Sequence, residues 1–477
     1  MSVAPFKRYI VRQIGCSKGR PRVYLDMPDL EVSGFAPGQS YKREVSLESR
    51  RITLTADDNG SYVVSKKEKG GTMCPVIDLH STEAFKPFEG MEAVRIVLQV
   101  NRIHIMPLAS EAKRAERLAR MARSLEAGVL HTAGAAFGGG VLDHAAHAGL
   151  SASGIEANLV MANEIDEGLI AHAQLNNDCI LSETTLISAP MQELVQDDWA
   201  MERLPKADLL CMGIPCSGAS IAGKSKRSLS MMENHPEVGH LVASAVMLIN
   251  RINPAVIVVE NVTQYAVTAS AQILRQHLRD SGYEVHETEL KAGDFGCLEN
   301  RERWFMVATT RGIDLDLSNL APVLKTVRNV SEILEDVSLD SPEWRGFDYL
   351  KTKETRDAAK GNGFAMQVVT PQSTSVPVLR KGYHKGGSTD PLLAHPENPD
   401  LLRQFTVVEH ARIKQVPERL VEGLNKTDGH ILLGQGIAYA PVVALFKRIG
   451  ECLKNWKSKV PAAPEQMVPY RLKLATG

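Results

Sequence analysis

The stretch "HTAGAAFGGGVLDHAAHAGL", residues 131–150, decides the fold. It passes from a short apolar start, through Gly134 and the run Gly138, Gly139, Gly140, into a helix-like pattern. Glycines where a strand turns into a helix let a ligand approach the backbone closely. The next strand-like run, "LVMANEID" (159–166), ends on acidic residues. Glu164 lies about as far beyond the glycine turn as the carboxylate that accepts ribose hydroxyls in nucleotide-type folds. No lysine of the phosphate-binding kind follows the glycines, which argues against a P-loop.

Working outward, strand-like runs alternate with helical ones. "ADLLCMGIP" (207–215), "AVIVVENV" (255–262) and "WFMVATT" (304–310) are separated by helical stretches at 238–253 and 269–282. This alternation predicts a doubly wound α/β domain from residue 129. Residues 311 to about 402 break the rhythm: they are polar, hold several Pro and Gly, and read as an insertion. Helix and strand signals resume at 404–455.

Residues 1–109 read instead as short strands and turns. "FAPGQSYKREVSLESRRITLT" (35–55) and "FEGMEAVRIVLQVNRIHIMP" (88–107) share an order: Phe, a Gly turn, a strand, a polar turn with Arg, a second strand. Two such halves predict one small β-barrel-like domain, because a lone hairpin cannot bury its face. The pattern resembles the swapped-hairpin barrels of AbrB-type and SymE-type DNA-binding domains, which implies a DNA-binding or regulatory role. "SEAKRAERLARMARSLEAG" (110–128) predicts a linking helix stopped by Gly128. Its Lys113, Arg114, Arg117, Arg120 and Arg123 read as a solvated basic face ahead of a phosphate-binding one.

Composition sets the outer limits. The 477 residues suit two or three domains, and 44% hydrophobic with 23% charged residues is ordinary for a globular protein. The formal charge of -1 means that nucleic-acid binding must come from local basic patches. Seven scattered cysteines without CxxC spacing argue against a disulfide framework and a zinc site, so no metal is expected. A reducing cytoplasm is the expected compartment. No apolar run reaches the ~18 residues of a membrane span, and the N-terminus lacks a signal-type apolar core.

The chemistry gathers at strand ends. "MGIPCSGASIAGKSKRS" (212–228) puts Cys216 where a strand runs out, and ligands bind at such ends in doubly wound sheets. The thiol is either a buried structural group or a nucleophile. The loop after it carries Ser220, Lys224, Lys226 and Arg227, which suit phosphate contacts. "AVIVVENV" ends in Glu260–Asn261, so two strands present a thiol and a carboxyl at one edge. "FGCLENRERWFMVA" (295–308) sets Arg301 and Arg303 on one face of an extended segment.

The order of the glycine turn, "NEID", "GIPCSGAS", "VVENV", "NRER", a variable insert, "FTVVEHARIKQVPE" and "LLGQGIAYAPVVA" resembles the C5-cytosine DNA methyltransferases over about residues 129–450. The resemblance implies that the Cys216 thiolate adds to cytosine C6 and that Glu260 bonds the ring edge. It also implies that Arg301 and Arg303 contact the base carbonyl and support the site. S-adenosylmethionine is the implied cofactor. Gly134, Phe137, Gly138, Gly139, Gly140, Glu164, Ile165, Gly213, Ile214, Pro215, Leu241, Gln435 and Ile437 would form its pocket, with Phe137 the candidate for stacking on adenine. The implied partner is double-stranded DNA with a flipped-out cytosine, and a cognate restriction enzyme is a further candidate. Residues 311–402 would be the target-recognition region, with Arg380, Lys381, Tyr383, His384 and Lys385 as DNA contacts; residues 403–455 would complete the catalytic domain before a tail at 456–477.

Some positions depart from the family. The acidic residue usual near 188–191 is replaced by "SAPM", residue 217 is Ser in place of Gln, and Leu298–Glu299 stand where Pro–Gln is usual. The departures keep two alternatives in view: a DNA-binding regulator on an impaired methylase fold, and an RNA or tRNA cytosine-5 methyltransferase. An RNA-type enzyme of the other branch would carry its nucleophile near 260, where this chain has no Cys.

Overall fold

The computed structural model describes residues 5–215 and 231–459. Two compact units divide the chain, one up to Ala119 and the other from Arg120. A helix, Ala109–Ala127, spans the division and stops at Gly128, whose φ of 77° suits a residue without a side chain.

The first unit holds a six-stranded and a four-stranded sheet sharing one apolar cluster that includes Val23, Leu79, Ile52, Ile96 and Ile105. The two similar stretches form two hairpins, Ser40–Ser46 with Arg51–Ala56 and Ala93–Gln99 with Arg102–Pro107. Their second strands pair with each other, so the hairpins lie back to back about the Arg51–Ala56/Arg102–Pro107 seam. Phe35 and Phe88 are both buried, and the turn glycines Gly38 and Gly90 both take positive φ, 86° and 78°. The repeat therefore encodes one turn-and-anchor device used twice.

The second unit is built on a seven-stranded sheet. Its strands are β1 (Val129–Ala135), β2 (Glu156–Glu164), β3 (Ile180–Ser188), β4 (Leu209–Met212), β5 (Val256–Asn261), β6 (Tyr283–Lys291) and β7 (Glu302–Thr310), in the order β3-β2-β1-β4-β5-β7-β6. The first five run parallel; β7 is antiparallel to both of its neighbours. Central strands such as β5 are almost wholly buried, which is why they read as continuous apolar runs. Strand order reverses at β1, with β2 and β3 on one side and β4 and β5 on the other. The carboxyl ends of β1 and β4 thus flank the crevice where such sheets bind ligands.

Helices α1 (Val141–Ala152), α2 (Glu167–Asn176), α3 (Leu241–Ile252) and α4 (Ala269–Asp280) cross between strands. Local chemistry sets their starts: Asp166 accepts from the Leu169 amide, and Thr268 from the Ala271 amide. The insert after β7 is no free loop. It holds α5 (Asp348–Ala359), a small three-stranded sheet and its own core around Trp344, Val376, Leu379, Tyr383 and Phe405. The chain then returns through α6 (Val407–Ile413), which opens with a reciprocal Thr406–Glu409 cap, α7 (Lys426–Gln435) and α8 (Tyr439–Lys459). The α8 helix packs on α1 closely enough that a Cβ on Gly149 would overlap the Val443 carbonyl and Phe446. Among the described residues no single helix is long and apolar enough to cross a membrane.

Candidate active site

The glycine turn joins β1 to α1. Gly138 and Gly140 take positive φ, 58° and 74°, and a Cβ on Gly140 would run into the Phe137 ring. Glu164 ends β2 beside this turn. Its Oε2 accepts from the Gly138 amide at 2.7 Å, and its Oε1 accepts from Ile165 and Asp166 at 2.9 and 3.2 Å. The carboxylate is thereby fixed at the lip of the crevice, with acceptor capacity left for a diol. Ile165 beside it is exposed. Phe137, expected to stack on an adenine, is placed otherwise. Its ring is buried with Leu159, Ala162, Ile170 and Cys179, so it fills the core behind the turn.

On the other side of the switch point β4 runs out into Gly213, Ile214 and Pro215. The Gly213 amide bonds the Ala135 carbonyl at 3.2 Å, and Asn261 at the end of β5 donates to the Ile214 carbonyl at 3.0 Å. Asn261 is buried, and its Oδ1 accepts from Val262 at 2.9 Å. It therefore ties the segment leading to Cys216 to the strand bearing Glu260. Sequence reading passed over Asn261; the signal was its place beside Glu260 in "VVENV". Cys216 itself, with Ser220, Lys224, Lys226 and Arg227, lies outside the described residues.

Glu260 and Arg303 face each other across the β5–β7 pair, Arg303 Nε standing 2.9 Å from Glu260 Oε1. Burial raises the Glu260 carboxyl from its ordinary 4.5 to about 7, against the pull of Arg301 and Lys414. A carboxyl poised there can carry a proton to a ring nitrogen at neutral pH. Arg301 has a different occupation. It is 2% exposed; its Nε bonds Glu299 at 2.8 Å, and its Nη2 bonds the carbonyls of Leu379 and Gly434 at 3.3 and 2.9 Å. These bonds make it a brace between β7, the insert and α7. Ile437 lines a small cleft with Arg301 and Arg303, while Gln435 is exposed and Leu241 is buried at the start of α3.

The insert residues separate likewise. Lys381 and Lys385 are exposed. Arg380 is exposed too, but pairs with the buried Asp390 at 2.8 Å. Tyr383 does not face solvent at all: its hydroxyl donates to the Pro391 carbonyl and accepts from the Phe405 amide, both at 2.8 Å. Its aromatic ring anchors the insert's core, which explains why an apparently basic-aromatic DNA-binding motif misled on this residue.

Residues 144–451 match the C-5 cytosine-specific DNA methylase family. The chain belongs to that family. Among its methylase relatives, M1.ScrFI of Lactococcus lactis subsp. cremoris is 26% identical over 264 residues, 53% of this chain and 65% of that protein. M.NlaX of Neisseria lactamica is 25% identical over 307 residues, 62% of this chain and 90% of the relative. Both are type II methyltransferases. The match thus spans just under two thirds of the first relative's length. In fold the chain is similar to the S. pombe Dnmt2 methyltransferase, with a TM-score of 0.52, 19% identity, and coverage of 69% of this chain and 99% of that one. It is also similar to the Entamoeba histolytica methyltransferase EhMeth, with a TM-score of 0.51, 16% identity, and coverage of 68% and 98%. The methylase match begins inside α1 and leaves the first unit outside it.

Proposed function

We propose that this chain is a DNA cytosine-5 methyltransferase that acts on a flipped-out cytosine in a short duplex sequence. The observation that carries the reading is the Glu260–Arg303 pair at the end of β5, beside the strand end that leads through Pro215 to Cys216. The target carbon is out of reach inside a duplex, so the base must leave the stack.

Cytosine C5 is too weak a nucleophile to be methylated directly. The Cys216 thiolate adds to C6, and the ring electrons shift toward N3, where the raised Glu260 carboxyl delivers its proton. C5 then has enamine character. Arg303 holds Glu260 in place and stands beside the base carbonyl, while Arg301 acts through its neighbours. Once C5 is methylated, a solvent base takes the C5 proton, the C6–S bond breaks to release the thiolate, and N3 returns its proton to Glu260, which restores the aromatic ring.

The glycine turn and Glu164 fit S-adenosylmethionine: a carboxylate with acceptor capacity suits a ribose diol, and Gly138 brings its backbone beside it. When bound, the cofactor supplies an electrophilic methyl group. Glu164 would hold the ribose, while Gly213 and Ile214 would wall the far side. Lys381 and Lys385 are the insert's candidates for phosphate contact, and the first unit is read as an added DNA-binding or regulatory module. The type II relatives make a cognate restriction enzyme the natural partner to look for.

Bisulfite sequencing of DNA from cells expressing the wild-type chain or Cys216→Ala tests this reading. Methylation in one fixed short context, lost in the variant, is the expected result. Methylation that persists in the variant rejects the nucleophile. No methylation in either moves the assignment to an RNA substrate or to an impaired regulator.

A further inference from the structure

A chain of buried charges runs from Arg301, which lines one small cleft with Arg303, to Glu299 and Lys414. Lys414, at the end of α6, is fully buried. Its Nζ donates to the carbonyls of Leu433 and Gly436, the latter at 3.1 Å, and stands 3.7 Å from Oε2 of Glu299. That same carboxylate oxygen bonds Arg301 Nε at 2.8 Å, while Oε1 accepts from the Leu379 amide at 3.0 Å. Arg301 in turn holds the Leu379 and Gly434 carbonyls. With Arg303 and Glu260 included, three cations face two carboxylates. An uncompensated buried charge is costly, so the charge state of each member depends on the others.

We propose that Lys414 is a positioning residue for Glu260: clamped between Glu299 and the α7–α8 turn, it places a buried positive charge behind the carboxyl that serves the base, and locks the insert's Leu379 segment to the same frame. The inference rests on the methyltransferase reading given above. The charged and titratable groups around Lys414 are Arg301, Glu299, Glu260, Cys297 and His410, whose imidazole is held below its usual range by burial and by Lys414; those acting on Glu260 are Arg301, Lys414 and, by direct contact, Arg303. Burial and Arg301 lower the Lys414 ammonium to about 7, while Glu299 and Glu260 sustain it. The two titrations are therefore coupled near neutrality.

The test follows Glu260 directly. Difference infrared spectroscopy reads the protonated-carboxyl stretch from pH 5 to 9, assigned by its loss in Glu260→Gln, in the full-length wild type, Lys414→Gln, Lys414→Arg, Glu299→Gln and the double Glu299→Gln/Lys414→Gln. Loss of the Lys414 charge is expected to move the Glu260 midpoint up by about one pH unit, a tenfold change in proton affinity. Glu299→Gln removes the counter-charge that sustains the Lys414 ammonium, so it is expected to move the midpoint up as well, but by less. Lys414→Arg should lie near the wild type, and the double variant should lie with Lys414→Gln. Rescue by a second cation at the same position is not a signature of loosened packing. An unmoved midpoint in Lys414→Gln, or an equal shift in Lys414→Arg, overturns the proposal, whether or not activity falls. Methyl transfer measured on the same samples keeps the two readings apart: a wild type that titrates as described but methylates no DNA condemns the substrate assignment and not the positioning role.

Discussion

Arg303 Nε stands 2.9 Å from the Glu260 carboxylate, joining the ends of two adjacent antiparallel strands. The pair fixes the carboxyl's position, while burial keeps its proton affinity high, near 7 against an ordinary 4.5. Glu260→Gln cannot deliver a proton and should lower kcat by about 10²–10³-fold, the scale of one lost electrostatic contact to a reacting centre. The same change should stabilise the protein at high pH. A carboxyl raised on folding is destabilising where it must ionise. The penalty is absent below about 4.5, grows between there and about 7, and is full above it, reaching at most about 3 kcal/mol. Thermal unfolding should therefore show Glu260→Gln gaining on the wild type at pH 8 and not at pH 4.5. A variant equally stable relative to the wild type at both would mean that Glu260 is ionised without strain.

Asn261 Nδ2 is the donor that holds the Ile214 carbonyl, two residues before Cys216. Asn261→Asp replaces that donor with an acceptor facing a carbonyl oxygen, and the buried carbonyl loses its partner. We expect kcat to fall by more than about tenfold, as for a reacting group displaced by about an ångström, with little change in DNA affinity. Steady-state kinetics beside a binding measurement separates the two. A large loss of DNA affinity at unchanged kcat would place the role of Asn261 elsewhere.

How far these relationships were legible in the sequence differs by residue. The strands of the catalytic sheet were plain because buried parallel strands are continuous apolar runs, and the doubled hairpin because each copy needs the same Phe and the same positive-φ glycine. Glu260 and Arg303 stood out as polar residues at the ends of such runs. Phe137 and Tyr383 did not yield to the same reading, since a motif position says nothing about which way a ring turns, and both turn inward. Arg301 and Arg303 lie two residues apart on one extended segment, yet one braces the frame and the other meets Glu260, because Glu299 captures only the nearer. Lys414 was hidden in "ARIKQVP" as an apparently ordinary polar residue. Its partners Glu299, Leu433 and Gly436 are brought to it only by the fold.

Gly434 lies against the backbone of the insert that follows β7. A Cβ there would overlap the Arg380 carbonyl group and the Lys381 amide, and none of these atoms can swing aside as a side chain can. Gly434→Ala should therefore push the Leu379–Lys381 segment off α7 and strain the Arg301 bonds to Leu379 and Gly434. Overpacking of this kind costs about 1–3 kcal/mol, to be read by denaturant unfolding. Because the displaced segment carries Lys381, a proposed phosphate contact, DNA affinity should also fall, at any sequence. Unchanged stability together with unchanged DNA affinity would show that the two segments separate without consequence.

Arg403 and Glu409 form a buried two-pronged pair, with both bonds at 2.6 Å, between the end of the insert and the first turn of α6. The Glu409 carboxylate also accepts from the amides of Glu335 and Thr406. One carboxylate thus satisfies the helix cap, a loop of the insert and a buried guanidinium. Removing it in Glu409→Ala leaves a buried arginine without its counter-charge, which costs about 3–5 kcal/mol. The double change Arg403→Met/Glu409→Met removes both charges at similar volume and should cost less than Glu409→Ala alone, since an apolar pair often replaces a buried ion pair nearly neutrally. The two abandoned amides set a floor on that recovery, because Glu335 and Thr406 still lose their acceptor. Unfolding free energies of Glu409→Ala, of the singles Arg403→Met and Glu409→Met, and of the double variant decide the point. A double variant as unstable as the sum of its singles would mean that the pair contributes by packing and not by charge.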